Sequence, residues 1–236
     1  DLVDALADQL TVAGIEAVRA RGEFHLALSG GSTPRALFRM LLIDPGYRML
    51  PWRHTHVWQV DERAVAADDQ ASNVRLLREE LTGHVPIDAD HVHAMPVLEA
   101  EGDRGYEITL HEAIADRTAA GIPRLDFVVL GLGEDGHTAS LFPHTPALDE
   151  TQRWVTFNDG DAVAPPRPRM TMTYPLINAA RRIAVLVTGP AKRDVLERVA
   201  AADAYDPDLP ITGVRPADPQ ADLAWYLDAA AAAAAP

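Results

Sequence analysis

The stretch G-L-G-E-D-G-H-T-A-S (131–140) carries the residues best suited to chemistry in this chain. Histidine is the side chain that changes charge near neutral pH, so His137 is a candidate general base. Asp135, two residues earlier, could orient the imidazole or contact a ligand hydroxyl. It could equally cap a helix opening at His137. Gly131, Gly133 and Gly136 let the backbone bend tightly around the pair. A second candidate is S-G-G-S-T-P (29–34). Gly30 and Gly31 allow backbone N–H groups to approach a ligand closely, Ser32 and Thr33 add hydroxyl donors, and Pro34 suits a first helical turn. A phosphate is the natural guest of such a loop; a simple turn with a hydroxyl cap is the alternative. No G-K-[ST] follows, so this is not an ATP-type loop, and G-x-G-x-x-G is missing, which speaks against a dinucleotide enzyme. Arg169 and Lys192 could supply positive charge. Lys192 stands at the start of an expected helix, where a cation opposes the helix dipole. Asp61, Glu62 and Arg63 form a compact D-E-R, suited either to binding sugar hydroxyls and an anion or to an ordinary ion pair.

These groups are delivered by a regular alternation of elements. Leucines and alanines at helical spacing predict a helix over 2–20. Apolar runs predict strands over 24–28, 55–60, 126–133, 154–157, 183–189 and 223–227, with a short one at 92–95. Helices are expected to about 42, over 73–81, over 104–120 and from about 190 to 202. Strands apolar on both faces that alternate with helices predict an α/β fold, a mostly parallel sheet covered by helices on both faces. The polar clusters all fall at the carboxyl ends of strands, where such sheets bind ligands. One domain is expected over 1–236, with the alanine-rich 229–236 as a frayed, low-complexity end.

With 236 residues, 47% apolar and 24% charged, the chain is long enough for a substantial core. Its 35 acidic against 21 basic residues give a net charge of -14. That balance argues against nucleic acid and anionic membranes as partners, but a few local cations can still attract a small anion. There are no cysteines, hence no disulfide, thiolate nucleophile or cysteine-bound metal, which fits a cytoplasmic location. The pair His91 and His93 has strand-ligand spacing but no evident carboxylate partner, so no metal is expected. The remaining histidines are expected as surface or packing residues. No cofactor is expected, and the chain is expected to act as a monomer or weak homodimer.

L-S-G-G-S-T-P (28–34), D-E-R (61–63), N-V-R (73–75), G-L-G-E-D-G-H-T-A-S-L-F-P (131–143), R-P-R-M-T-M-T (167–173) and V-T-G-P-A-K (187–192) occur in one order. Together they resemble the glucosamine-6-phosphate isomerase/6-phosphogluconolactonase family, on its lactonase side. The likeness runs from about residue 24 to 228. It implies a modified Rossmann-like sheet of the NagB/RpiA type and metal-free hydrolysis of 6-phospho-D-glucono-1,5-lactone, a step of the oxidative pentose phosphate pathway. It further implies a phosphate held by Gly30, Gly31, Ser32 and Thr33 with Arg169 and Lys192. His137 would activate water, and Asp135 or Asp61 would hold the base. Arg63 or the backbone near 131–133 would face the oxyanion. The sibling deaminases carry a glutamate where this chain, aligned on D-G-H and the following proline, has Phe142. They also read D-E-Y for D-E-R. A non-catalytic sugar-phosphate-binding module is a further alternative.

Overall fold

The computed structural model describes residues 2–232. Its strands are β1 (Phe24–Leu28), β2 (Thr55–Gln59), β3 (Asp61–Arg63), β4 (Val92–His93), β5 (Phe127–Leu130), β6 (Val155–Asn158), β7 (Arg169–Met172), β8 (Arg182–Val187) and β9 (Asp222–Leu227). The helices are α1 (Leu2–Arg21), α2 (Arg35–Ile43), α3 (Asn73–Glu80), α4 (Gly102–Ala113), α5 (Tyr174–Ile177), α6 (Arg193–Ala200) and α7 (Ala229–Ala232). Six strands form one sheet in the order β4-β2-β1-β5-β8-β9, parallel at every pairing.

Successive strand residues point to opposite faces, and here both faces are buried. In β1, Phe24, Leu26 and Leu28 pack with Leu6 and Leu10 of α1 and Phe38 of α2, while Ala27 joins Trp58, Val128 and Leu110 on the other side. Each such large side chain taken out of water contributes roughly 1.5–3 kcal/mol. From β1 the chain moves outward through β2 to β4, then crosses to β5 and moves the other way through β8 to β9. The loops leaving β1 and β5 therefore diverge from adjacent strands. That is the switch point at which a parallel sheet opens a crevice.

A second sheet, antiparallel in the order β3-β7-β6, was not legible in the sequence. The expected strand 55–60 divides at Val60. The Val60 N–H donates to Leu28 O in the main sheet, and its carbonyl accepts from the Met172 N–H in the second. D-E-R is thus a strand of its own, and 154–157 belongs to this second sheet. The expected helix over 104–120 ends at Ala113. Beyond it Ile114 is buried and Asp116 ion-pairs with Arg181, which draws the chain off the helix axis. Of the expected frayed end, Ala229–Ala232 is helical, with Ala231 buried and the Ala230 carbonyl accepting from Arg193 Nε; 233–236 lie outside the described residues. No described helix is long and apolar enough to cross a membrane.

The histidines expected merely at the surface or in packing hold a surprise. His25, His56, His91 and His93 gather toward the amino-terminal ends of β1 and β2. The His56 ring stacks on His91 at 3.8 Å and lies 4.9 Å from His25, and His56 Nδ1 meets His93 Nε2 at 2.9 Å. Glu23 approaches His25 and His56 from the edge. Among the described residues no group of three or more histidine or acidic side chains is placed to hold a metal ion.

Candidate active site

The loops after β1 and β5 enclose a cleft of about 230 Å³. Gly30, Gly31, Ser32, Thr33, Asp61, Arg63, His137, Arg169 and Lys192 all line it. Of the side chains singled out from the sequence as candidates, Asp135 and Glu62 stand back from the wall.

His137 is reached by a tight turn, not by a helix. The Gly133 N–H donates to His137 O, the Gly136 N–H to Gly133 O, and the His137 N–H to Asp135 Oδ1. No helix begins at His137, so Asp135 caps none. Its carboxylate instead accepts from His137 Nδ1 at 2.5 Å. An ionised carboxylate only accepts, so Nδ1 carries the proton and the Nε2 lone pair is left for the cleft. Burial works to raise the Asp135 pKa, but its hydrogen bonds and attraction to His137 outweigh this and hold it below the ordinary carboxylate value. Phe142, buried, stacks on the His137 ring at 4.3 Å and receives the Arg169 guanidinium at 5.3 Å on its ring. Tight packing of this kind restricts the imidazole to one orientation.

Gly133 is required by this pair. A Cβ there would lie 2.0 Å from His137 Nδ1 and 2.5 Å from Asp135 Oδ1. Gly133→Ala must therefore push imidazole and carboxylate apart. The expected result is a loss of about 10²-fold in kcat, since a misplacement near 1 Å can cost that much, with the folded state retained by circular dichroism. A variant with near-normal kcat would show that the pairing does not matter.

The same cleft is also lined by cations. The N–H groups of Gly30, Gly31, Ser32 and Thr33 donate to no acceptor among the described residues, although the Ser32 carbonyl accepts from Arg35. Successive free amides ahead of the α2 N-terminus form an anion cradle. Arg63 and Arg169 are direct partners across the β3–β7 pair, an arrangement of like charges that costs stability unless an anion lies between. Neither arginine nor Lys192 has a carboxylate within salt-bridge distance among the described residues. Arg63 NH1 instead donates to Ala71 O and Asn73 Oδ1, and Arg169 Nε to Ala164 O. Lys192 ends the short turn Pro190–Lys192 just before α6, as its position against the dipole suggested.

The three acids of the site separate by role. Asp61 does not touch the imidazole. Its Oδ2 accepts from Ser140 Oγ at 2.6 Å and its Oδ1 from Asn73 Nδ2 at 3.3 Å, so it ties the second sheet to the histidine loop. Glu62 does not reach the ligand side. It is buried and accepts five hydrogen bonds, from Gln59, Ser72, and the backbone of Arg63, Asn73 and Val74. A carboxylate on the first amides of α3 also complements the helix dipole. Of the backbone near 131–133, the Gly133 amide is already committed to His137 O. Sequence reasoning missed Asn73, Ser140 and Thr171, whose hydroxyl receives the Ser140 N–H. Asn73 lay within a quoted motif, but nothing local to N-V-R tells which strand its amide meets.

The profile of the family described as glucosamine-6-phosphate isomerases/6-phosphogluconolactonase matches residues 1–225. The chain is 42% identical over 235 residues to a GDH/6PGL endoplasmic bifunctional protein of Oryctolagus cuniculus, covering 97% of this chain but 28% of that one. It thus spans little more than a quarter of that relative's length. It is 40% identical over 220 residues to a 6-phosphogluconolactonase of Nostoc sp., covering 92% of this chain and 87% of that one. The structure of 6-phosphogluconolactonase from Trypanosoma brucei superposes with a TM-score of 0.82 at 26% identity, covering 98% and 93% of the two chains. By sequence and by fold, the chain belongs to the glucosamine-6-phosphate isomerase/6-phosphogluconolactonase family.

Proposed function

We propose that the chain hydrolyses 6-phospho-D-glucono-1,5-lactone to 6-phospho-D-gluconate, the lactonase step of the oxidative pentose phosphate pathway. The observation that carries the reading is the meeting of two devices in one cleft: an amide cradle with three cations and a carboxylate-held imidazole. A sugar phosphate lactone needs both, a dianion site at one end and a base at the other. The names of the Nostoc and trypanosomal relatives support the same substrate.

In this mechanism the phosphate lies on the amides of 30–33 with Lys192 and the arginine pair around it. Anchoring that end fixes C1 near His137. Nε2 takes a proton from water as its oxygen bonds to C1, and the carbonyl electrons move onto the oxyanion. The intermediate collapses by breaking the bond from C1 to the ring oxygen, which receives the proton from the imidazolium. Asp135 stabilises the imidazolium meanwhile. The amides of Gly131 and Leu132 are the backbone donors left for the oxyanion, since that of Gly133 is committed. Arg63, bonded to Asn73 beside the glycine loop, serves the phosphate end in this reading.

Phe142 argues against the deaminase alternative. An apolar, buried ring stands where the resemblance aligns the deaminases' glutamate, and it can carry no proton. A cytoplasmic site of action rests on the lack of cysteine alone; the rabbit relative is endoplasmic by name.

The direct test is acid release from freshly prepared 6-phosphogluconolactone. Release above the spontaneous rate is expected. Release no faster than the buffer blank overturns the reading, as would ammonia production from glucosamine 6-phosphate. Lys192→Ala is expected to raise KM about tenfold or more, the scale of a charge-assisted contact, with kcat nearly kept. An unchanged KM removes the lysine from the phosphate site.

A further inference from the structure

Asn73 is 2% exposed and touches three separate parts of the cleft. Its Oδ1 accepts from Arg63 NH1 at 2.6 Å. Its Nδ2 donates to the Asp61 carbonyl at 2.9 Å and to Asp61 Oδ1 at 3.3 Å. The glycine loop rests directly on the same amide: a Cβ on Gly30 would lie 1.9 Å from Asn73 Oδ1 and 2.2 Å from its Cγ. The asparagine is itself pinned, because its N–H donates to Glu62 Oε1 at 2.8 Å. One planar group thus fixes the position of a guanidinium, the height of the amide cradle and the strand that carries Asp61. The short Asn side chain satisfies this with both ends of its amide in use.

We propose that Asn73 is the positioning residue of the phosphate end, setting the registry between Arg63 and the amides of 30–33 and so the preference for a phosphorylated lactone. The inference rests on the lactonase reading above. It assigns Asn73 no contact with the reacting carbon, which makes its signature distinct from that of His137. Losing Asn73 frees Arg63 from one acceptor and lets the loop settle into the vacated space. Ground-state and transition-state holding of the phosphate weaken together, which raises KM and leaves kcat.

The test compares wild type, Asn73→Ala and Gly30→Ala on 6-phosphogluconolactone and on unphosphorylated glucono-1,5-lactone, with 6-phosphogluconate binding by calorimetry. Asn73→Ala is expected to raise KM for the phosphorylated lactone about tenfold, the scale of a hydrogen bond to a charged group, with kcat within about threefold. Its kcat/KM for the unphosphorylated lactone should be unchanged, and its Kd for 6-phosphogluconate raised by a similar factor. Gly30→Ala disturbs the same contact from the loop side and should give the same pattern. In the Asn73→Ala background the added methyl has lost its obstacle, so the double variant should be no worse than Asn73→Ala alone. Equal losses on both lactones, or an unchanged Kd, overturn the proposal. If Asn73→Ala does not fold, Asn73→Ser, which also removes the amide, decides by the same readouts. Failure of wild type to hydrolyse either lactone would overturn the functional reading instead, while the calorimetric Kd still judges the role of Asn73.

Discussion

Replacing His137 by alanine is expected to lower kcat by about 10²–10⁴-fold, the usual worth of a positioned general base. Substrate affinity should be largely kept. The cleft supplies the reason for the split. The cradle 30–33, Lys192 and Arg63 make no direct contact with the ring, and Arg169 meets it only through Phe142. The imidazole is half of a single device: Nδ1 is fixed by Asp135, which leaves Nε2 as its free nitrogen, and the residue lines the cleft. Among the described residues no second imidazole lines the cleft to replace it. Asp135→Asn should give a smaller loss, because the amide can still fill the turn but can no longer stabilise the imidazolium. The measurement is steady-state hydrolysis of the fresh lactone, corrected for its spontaneous opening. A His137→Ala enzyme with more than about a tenth of normal kcat would show that the water is activated elsewhere.

Acid unfolding between neutrality and pH 4 is the second large effect, and it arises far from the cleft. Burial is the main force that lowers the pKa values of His25, His56 and His93, to about 3, 4 and 4, with neighbouring imidazoles adding to it. Arg21 adds further to the lowering at His25. Glu23, at 3.5 Å from His25 Nε2 and 3.9 Å from His56 Nε2, acts in the opposite sense but is half exposed. Asp126 accepts the His25 N–H, and its charge is engaged by Arg21 and Arg181. In the unfolded chain each imidazole titrates near 6.5. Below that value the unfolded state binds protons that the folded state refuses, so stability present above about pH 6.5 is lost as the pH falls toward 4. All three shifts act in the same direction, against a total of only about 5–15 kcal/mol for an ordinary domain. The midpoint of urea unfolding should therefore fall steeply from pH 7 to pH 4.5. His56→Phe keeps a ring in the stack and removes a titrating group, so its midpoint should fall less steeply. Equal slopes for the two proteins would place the acid sensitivity elsewhere.

Much of the site was legible because it is written in short contiguous runs. S-G-G-S-T-P and G-E-D-G-H-T each place their polar groups within a few residues of a strand end, and the sheet order then brings β1 and β5 side by side. The same locality explains His137 with Asp135, a pair two residues apart. D-E-R was legible as a functional cluster but not in its division of labour. Glu62 proved to be buried scaffold, and Asp61 bonds Ser140, 79 residues away, and not the base. The strand 169–172 was hidden behind the prolines before it, and so was the facing of Arg63 and Arg169.

The order of apolar runs and polar tips along the chain was enough to determine a covered parallel sheet, a phosphate-suited loop after its first strand and a histidine after its fourth. Those features depend on backbone preferences and side-chain periodicity within about ten residues. Which hydroxyl Asp61 accepts from, which amide seats the glycine loop and which four histidines cluster together were decided by the packing of segments far apart in the chain. Pairing of that kind is fixed by the burial and hydrogen-bonding needs of both partners at once, and neither partner's local sequence carries the address of the other.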